Sequence, residues 1–167
     1  KKINMLFKER GLRCLIHQPS YSMFNRWIEN DLLNTLEQEG IGCIAFSPLA
    51  QGMLTTKYLK NIKRGTRASE KNSFIDHKMI TNNYKKKIKN LSLIAKKRRQ
   101  TLPQMALAWC LRDKRITSVV FGARNRKQLN ENLDALKNIE FNRSEINEIN
   151  LYATESNINI WQESSSY

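Results

Sequence analysis

Two segments of this sequence combine residue types that bind phosphate with the position at which an apolar strand ends. In the first, the run that ends at Phe46 gives way to a polar loop that contains Gly52 and closes with the cation Lys57. In the second, an apolar run ending at Phe121 is followed by Gly122–Arg124 and the start of a helix. Glycine lets the backbone approach a pyrophosphate closely, and lysine or arginine supplies the opposite charge. Two such strand ends can hold the two ends of one phosphate-bearing ligand.

Other side chains near the strand ends suit further parts of such a ligand. Phe46 could present a flat face to a heteroaromatic ring, and the amide of Gln18 could both donate to and accept from a carboxamide. The free N–H groups of a helix that starts at Arg126, together with the fork of Arg124, would meet a phosphate, and Arg67 adds positive charge. Taken singly, each of these residues is more often an ordinary turn, core or solvated position, and neither common Gly-rich phosphate motif occurs.

Length and composition indicate one domain with a hydrophobic core, spanning residues 1–167. The chain is 40% hydrophobic, and its apolar runs are much shorter than the roughly 18 to 20 residues of a membrane span. The basic N-terminus lacks the apolar stretch of a signal peptide. Cys14, Cys43 and Cys110 have no C-x-x-C spacing, which predicts free thiols in a reducing cytoplasm and no zinc site.

The net charge of +14 is unevenly distributed, because residues 77–112 contain no Asp or Glu. Such a segment could bind nucleic acid or another polyanion. Helical spacing of its apolar residues instead favours one long helix with the lysines on its solvated face, so no nucleic-acid partner is expected and polyanion binding stays an alternative. The apolar stripe consists of Ile80, Tyr84, Ile88, Leu91 and Ala95.

Strand-like and helix-like segments alternate along the chain, which predicts an α/β fold with a parallel sheet. Three short runs rich in apolar residues read as buried strands. Turn signals, caps and apolar periodicity predict the helices between and after them. The expected strands span residues 12–17, 42–46 and 117–121, and the expected helices span 31–39, 80–99, a segment starting near 103, 126–136 and 144–152, the last with Ser144 as N-cap.

Two longer motifs resemble the cofactor-binding signature of the aldo-keto reductases. They are Ser47-Pro48-Leu49-Ala50-Gln51-Gly52-Met53-Leu54-Thr55-x-Lys57-Tyr58 and Gly122-Ala123-x-x-x-x-Gln128-Leu129-x-Glu131-Asn132. The branch resembled includes bacterial L-glyceraldehyde 3-phosphate reductases and the potassium-channel β-subunits. Shorter stretches around residues 15–21, 25–27 and 158–162 agree, so the resemblance covers essentially the whole chain.

The resemblance implies a (β/α)₈ TIM barrel that binds NADPH and reduces carbonyl substrates such as L-glyceraldehyde 3-phosphate or methylglyoxal. It implies that Phe46 stacks on the nicotinamide and that Gln18 binds its carboxamide. It also implies a pyrophosphate site and an adenosine site with its 2′-phosphate. The implied residues are Ser47, Pro48, Leu49, Gly52 and Lys57 for the first, and Arg67, Gly122, Arg124, Gln128, Glu131 and Asn132 for the second. Arg124 replaces a serine of many relatives, and Gly65 replaces a tyrosine of some.

A full barrel needs about 250 residues and eight strands, whereas about three strands with flanking helices are predicted here. They match the sixth to eighth strands of the family, so the resemblance implies the C-terminal half of a barrel without the family's catalytic Asp, Tyr, Lys and His. We therefore expect no reductase activity from this chain alone. Open sheet edges favour association, either as a homo-oligomer or with a separately encoded N-terminal half. A noncatalytic NADPH-binding or interaction module is the alternative.

Overall fold

Three parallel strands form the centre of the fold in the computed structural model, which describes residues 1–60, 75 and 77–156. They are β1 (Ile16–His17), β2 (Gly42–Phe46) and β3 (Ser118–Val120), in the spatial order β1-β2-β3. Both neighbouring pairs are parallel, with Ile16 opposite Gly42 and Ile44 opposite Ser118. The α/β class is confirmed, and the sheet is consistent with part of a parallel barrel. Its assignment to the C-terminal half stays a prediction.

Six helices accompany the sheet in the described part of the chain. Short 3₁₀ turns lie between them, two of them in the loop after β2. Five helices correspond to predicted ones, while the helix before β1 was not expected from the sequence. The helices are α1 (Lys2–Glu9), α2 (Leu32–Glu39), α3 (Asn82–Lys97), α4 (Leu102–Leu111), α5 (Arg126–Leu133) and α6 (Arg143–Asn150).

Local capping sets most of the helix ends. Gly40 ends α2 with a left-handed φ of 66°, as the sequence predicts. The predicted N-cap Ser144 is wrong: Asn142 caps α6, because its Oδ1 accepts from the Glu145 backbone N–H at 2.9 Å and Glu145 Oε2 accepts from the Asn142 N–H at 2.9 Å. This reciprocal pair satisfies two backbone donors, which a serine already inside the helix could not do. The predicted helix 126–136 is shorter, since α5 ends at Leu133 and a 3₁₀ turn follows.

The core contains buried residues of β2 and of the helices α2, α3 and α4. Cys43 and Ala45 point inward from β2 and are fully buried. Helix α4 is buried almost all round, whereas α3 is amphipathic: its predicted apolar stripe from Tyr84 to Ala95 is buried, while lysines such as Lys86 and Lys89 are exposed. The prediction of a solvated lysine face is confirmed.

The prediction that all three strands are buried is wrong for β1 and β3. Ile16 is 52% exposed and Val120 is 47% exposed, and both strands are shorter than predicted. Within the described residues each outer strand pairs with β2 alone, so its other edge is uncovered and its ends are not held in a ladder. Apolar composition identified these strands, but burial depends on a second neighbour. Among the described helices none is long and apolar enough to cross a membrane.

A largely buried charge network, called here the Glu29 cluster, fastens the loop after β1 to helix α4. It consists of Tyr21, Arg26, Glu29, Trp109 and Arg112. Glu29 Oε1 accepts from the Tyr21 hydroxyl at 2.6 Å and from Arg112 at 3.0 Å, while Glu29 Oε2 accepts from Arg26 at 2.7 Å. The guanidinium of Arg112 lies 3.6 Å from the centroid of Trp109, and Tyr21 stacks on the same indole at 5.3 Å. Each guanidinium in the cluster therefore has a carboxylate partner.

Candidate functional site

A cavity opens at the carboxyl edge of the sheet, where the loops after β2 and β3 face each other. Its volume is about 750 Å³, within the range of small-molecule and cofactor sites. Parallel strands end at the same edge, so the register of β2 with β3 brings the two loops together. The lining residues are Phe46, Ser47, Pro48, Leu49, Gln51, Gly52, Thr55, Lys57, Val120, Phe121, Gly122, Ala123, Arg124 and Gln128.

The loop after β2 has an unusual backbone. Ser47, Ala50 and Gln51 have φ values of 55°, 47° and 57°, and Gly52 has 93°, all in the region that disfavours residues with a side chain. Two turn hydrogen bonds of 2.8 Å, from Ala50 N–H to the Ser47 carbonyl and from Gly52 N–H to the Leu49 carbonyl, hold the chain in this path. Such conformations persist only where surrounding contacts enforce them, and they gather at ligand sites.

Gly52 leaves room for the ammonium group of Lys57. A Cβ on Gly52 would lie 2.7 Å from Lys57 Nζ, closer than nonbonded atoms approach. The same ammonium lies 4.8 Å from the ring centroid of Tyr58, a favourable position for a cation over an aromatic face. Thr55 closes the turn by donating from Oγ1 to the Gly52 carbonyl at 2.8 Å. The loop thus holds one cation close to its own backbone at the edge of the cavity.

The loop after β3 is organised by side-chain caps at the start of α5. Asn125 Oδ1 accepts from the Gln128 backbone N–H at 2.9 Å, and Gln128 Oε1 accepts from the Arg124 backbone N–H at 2.9 Å. The oxygen of the Gln128 carboxamide is therefore engaged by the loop, while its NH₂ group is a donor. With the first backbone N–H groups of α5, this loop favours a ligand that accepts hydrogen bonds.

The described lining of the cavity carries positive charge without a carboxylate. Its ionised side chains are Lys57 and Arg124, and Phe46 adds a half-buried aromatic face. Such a site is suited to an anion joined to a flat, partly apolar group. In the described part of the chain, no group of three or more His, Cys, Asp or Glu side chains could hold a metal ion.

Three predicted residues lie away from the described lining of this cavity. Gln18 is exposed just after β1. Glu131 is exposed on α5, where its backbone carbonyl accepts from Gln104 Nε2 at 2.8 Å. Asn132 is 5% exposed, and its Nδ2 has no hydrogen-bond partner among the described residues. Arg67 and Gly65 lie outside the described residues. The cofactor-binding roles given to Arg67, to these three residues and to the predicted residues in the lining stay predictions.

Five lining residues are absent from the predicted set. They are Gln51, Thr55, Val120, Phe121 and Ala123. Four of the five stand between or next to predicted residues in the two motifs, so extending each candidate to its whole loop would have included them. Val120 carried no signal, because an apolar residue in a strand is ordinarily read as core.

The structure is therefore a parallel α/β unit whose cavity, between the loops after β2 and β3, is suited to an anion. Comparison with known proteins identifies its family. The sequence model of the Aldo/keto reductase family matches residues 1–153, and the chain belongs to this family of oxidoreductases. This confirms the resemblance drawn from the motifs.

Two relatives share the name L-glyceraldehyde 3-phosphate reductase. One is from Escherichia coli (strain K12) and the other from Escherichia coli O157:H7, and each is 41% identical to this chain over 169 residues. Each match covers 99% of this chain and 49% of the relative. The chain thus spans about half the length of the curated relatives it matches.

Proposed function

We propose that the chain binds NADPH in the cavity between the loops after β2 and β3, as part of a reductase of aldehydes or ketones. The observation that carries the proposal is the convergence of Lys57 and Arg124 on one cavity without a carboxylate in its described lining. Membership of an oxidoreductase family supports the choice of a nicotinamide nucleotide among phosphate ligands. Bound NADPH would supply a hydride to a carbonyl carbon.

The residues present fit the chemical groups of this nucleotide. Ser47, Gly52 and Lys57 offer a hydroxyl, a closely approachable backbone and a cation for the pyrophosphate. Arg124, with the donor group of Gln128, suits a terminal phosphate such as the 2′-phosphate. Further proposed contacts are Phe46 with the nicotinamide, Gln18 with its carboxamide, Pro48 and Leu49 beside the pyrophosphate, and Gly122, Arg67, Glu131 and Asn132 around the adenosine.

We also propose that this chain alone binds the nucleotide without reducing a substrate. Carbonyl reduction needs a proton donor beside the developing alkoxide, and the described lining contains no Tyr, His, Asp or Glu. A second polypeptide segment that pairs with the exposed strands β1 and β3 would supply that group. The substrate would be a phosphorylated aldehyde such as L-glyceraldehyde 3-phosphate, in keeping with the name of the two relatives, or methylglyoxal. The two buried free cysteines, Cys43 and Cys110, fit a cytoplasmic setting.

The same observation favours a second candidate, a noncatalytic NADPH-binding module. A cavity that offers cations and hydrogen-bond donors, without a proton donor for the carbonyl in its described lining, could serve binding alone. The two candidates differ in whether a completing segment restores turnover of DL-glyceraldehyde with NADPH.

A fluorescence titration of the purified chain with NADPH tests the proposed function. We expect saturable binding of one nucleotide per chain, and weaker binding of NADH because it lacks the 2′-phosphate. Arg124→Met should weaken NADPH binding by about tenfold, the usual effect of losing a charged hydrogen-bond donor to phosphate. NADH binding should change much less, because Arg124 is assigned to the 2′-phosphate.

Arg126→Met is the matched control for that titration. Arg126 is exposed at the start of α5 and is not among the described lining residues, so this variant removes the same charge from the same helix end. Its NADPH affinity should stay within about twofold of the parent. Equal losses in both variants would mean that overall charge attracts the nucleotide, and absence of saturable NADPH binding by the parent would reject the proposed function.

A further inference from the structure

We propose that Gln51 is a positioning residue for nucleotide binding, which fixes the Ser47 hydroxyl as a hydrogen-bond donor toward phosphate. Both side chains line the cavity, and Gln51 Nε2 donates to Ser47 Oγ at 2.9 Å. The inference rests on the proposed function, because it assigns Gln51 a task within the NADPH cavity.

The direction of this hydrogen bond determines what the serine can do. A carboxamide NH₂ group can only donate, so Ser47 Oγ accepts and one of its lone pairs is used. The hydroxyl retains its single proton for another partner. Phosphate oxygens only accept hydrogen bonds, and a hydroxyl that donates to an ionised acceptor forms a strong bond. Gln51 therefore orients the Ser47 hydroxyl as a hydrogen-bond donor, as a phosphate requires, before the ligand binds.

The backbone brings these two side chains together through an unfavourable path. Ser47 and Gln51 both have left-handed φ values, 55° and 57°. A hydrogen bond from the Ala50 N–H to the Ser47 carbonyl closes the turn that separates them. Glycine or asparagine would adopt such a conformation more easily than glutamine. A long amide side chain at this position is disfavoured locally, and its bond to Ser47 offsets that disadvantage.

A double-mutant cycle in NADPH affinity tests the role. Gln51→Met keeps the length of the side chain and removes the amide, and we expect the dissociation constant to rise about five- to tenfold. Ser47→Ala should raise it by about the same factor or more. Adding Gln51→Met to Ser47→Ala should then change the dissociation constant by less than about twofold, because Gln51 acts through the hydroxyl.

Two further variants keep this test decisive. Gln51→Asn carries an amide too short to reach Ser47 yet tolerates a left-handed backbone, so it should lose the same affinity as Gln51→Met with an unchanged melting temperature. Gln38→Met is the same substitution at an exposed position of α2. Its affinity for NADPH should equal that of the parent chain.

The outcomes separate the role of Gln51 from the proposed function. An unchanged dissociation constant in Gln51→Met and Gln51→Asn would overturn the inference while NADPH binding by the parent stood. Gln51→Met could also weaken NADPH binding by the same factor in the parent and in the Ser47→Ala variant. That result would overturn the inference too, since Gln51 would then act through the structure of the loop. A parent chain that binds no NADPH would reject the proposed function, and the inference with it, before any variant is compared.

Discussion

Two regions of this molecule each contain two cationic side chains. In one region the cations are paired with a carboxylate, and in the other they are not. In the Glu29 cluster, Arg26 and Arg112 both bind the carboxylate of Glu29. In the cavity, Lys57 and Arg124 share a described lining that contains no carboxylate. A cation paired within the protein contributes to the fold, whereas cations left together in a cavity favour an anionic ligand. The basic character of the chain does not distinguish the two regions, but the pairing does.

Removing the carboxylate of the Glu29 cluster should have the largest effect on stability. Glu29→Gln would leave Arg26 and Arg112 facing a neutral amide whose NH₂ group cannot accept their hydrogen bonds. We expect the free energy of unfolding to fall by about 2 kcal/mol, because a partly buried ion pair lies between the exposed and the fully buried cases. Urea denaturation followed by circular dichroism measures this change, and NADPH affinity of the folded protein should not change.

Glu148→Gln is the matched control for that substitution. Glu148 pairs with Lys97 at 2.6 Å, but the two side chains are 40% and 66% exposed, and exposed pairs contribute little. Its loss should be below about 1 kcal/mol. If Glu29→Gln is no more destabilising than this control, the Glu29 cluster does not hold the loop after β1 as described.

The Glu29 cluster should also make stability sensitive to acid. Burial acts to raise the pKa of Glu29, but hydrogen bonds from Arg26, Tyr21 and Arg112 and the charge of Arg26 outweigh it, so the pKa lies below the usual 4.5. A lowered pKa means that the stabilisation is complete above the pKa of the unfolded chain and is lost as pH falls through the folded value. Stability measured from about pH 6 down to about pH 3 should fall less steeply in Glu29→Gln than in the parent. Parallel profiles would contradict the assignment.

Removing a cavity cation should weaken binding with little effect on the fold. Lys57→Met should raise the NADPH dissociation constant by about tenfold. Because Lys57 is exposed, the unfolding free energy should change by less than about 0.5 kcal/mol. Lys86→Met removes the same charge from the lysine face of α3 and is the control. A larger loss in Lys86→Met would favour the polyanion-binding alternative.

A substitution at Gly52 tests the shape of the loop after β2. Gly52→Ala introduces a side chain at a φ of 93° and places its Cβ 2.7 Å from Lys57 Nζ. We expect a loss of stability of about 1 kcal/mol from the backbone, and a severalfold weaker NADPH affinity because the ammonium must move. Gly40→Ala is the control, since that glycine also has a positive φ but nothing lies within 4 Å of its Cβ. It should lose stability without losing affinity.

The sequence predicted the positions of the helices better than the burial of the outer strands. Periodicity located α3 and its lysine face, and Gly40 located the end of α2, because both signals depend on residues close in the chain. Burial of β1 and β3 was predicted wrongly, since it depends on neighbouring strands that no local pattern reports. The predicted N-cap Ser144 overlooks the capping-box pattern of Asn142 and Glu145, which begins two residues earlier and which Ser144 lacks.

The sequence motifs identified most of the residues that line the cavity. They did not show which groups of these residues donate hydrogen bonds and which accept them. Phe46 and Lys57 follow from the motif after β2, and Arg124 follows from the one after β3. The engagement of Gln51 with Ser47, and of Gln128 with the backbone of Arg124, depends on left-handed turns and on distances across a loop. These contacts are local, but they depend on the backbone path of each loop, which a residue list alone does not provide.

The most direct test of the contrast between the Glu29 cluster and the cavity is a titration of the ¹⁵N-labelled chain with NADPH, followed by amide chemical-shift changes. The account predicts that the largest changes lie in residues 46–57 and 120–128. Amides of the Glu29 cluster and of α3 should stay near their starting positions. Changes centred on the lysine face of α3 or on the Glu29 cluster, or no changes at saturating NADPH, would contradict it.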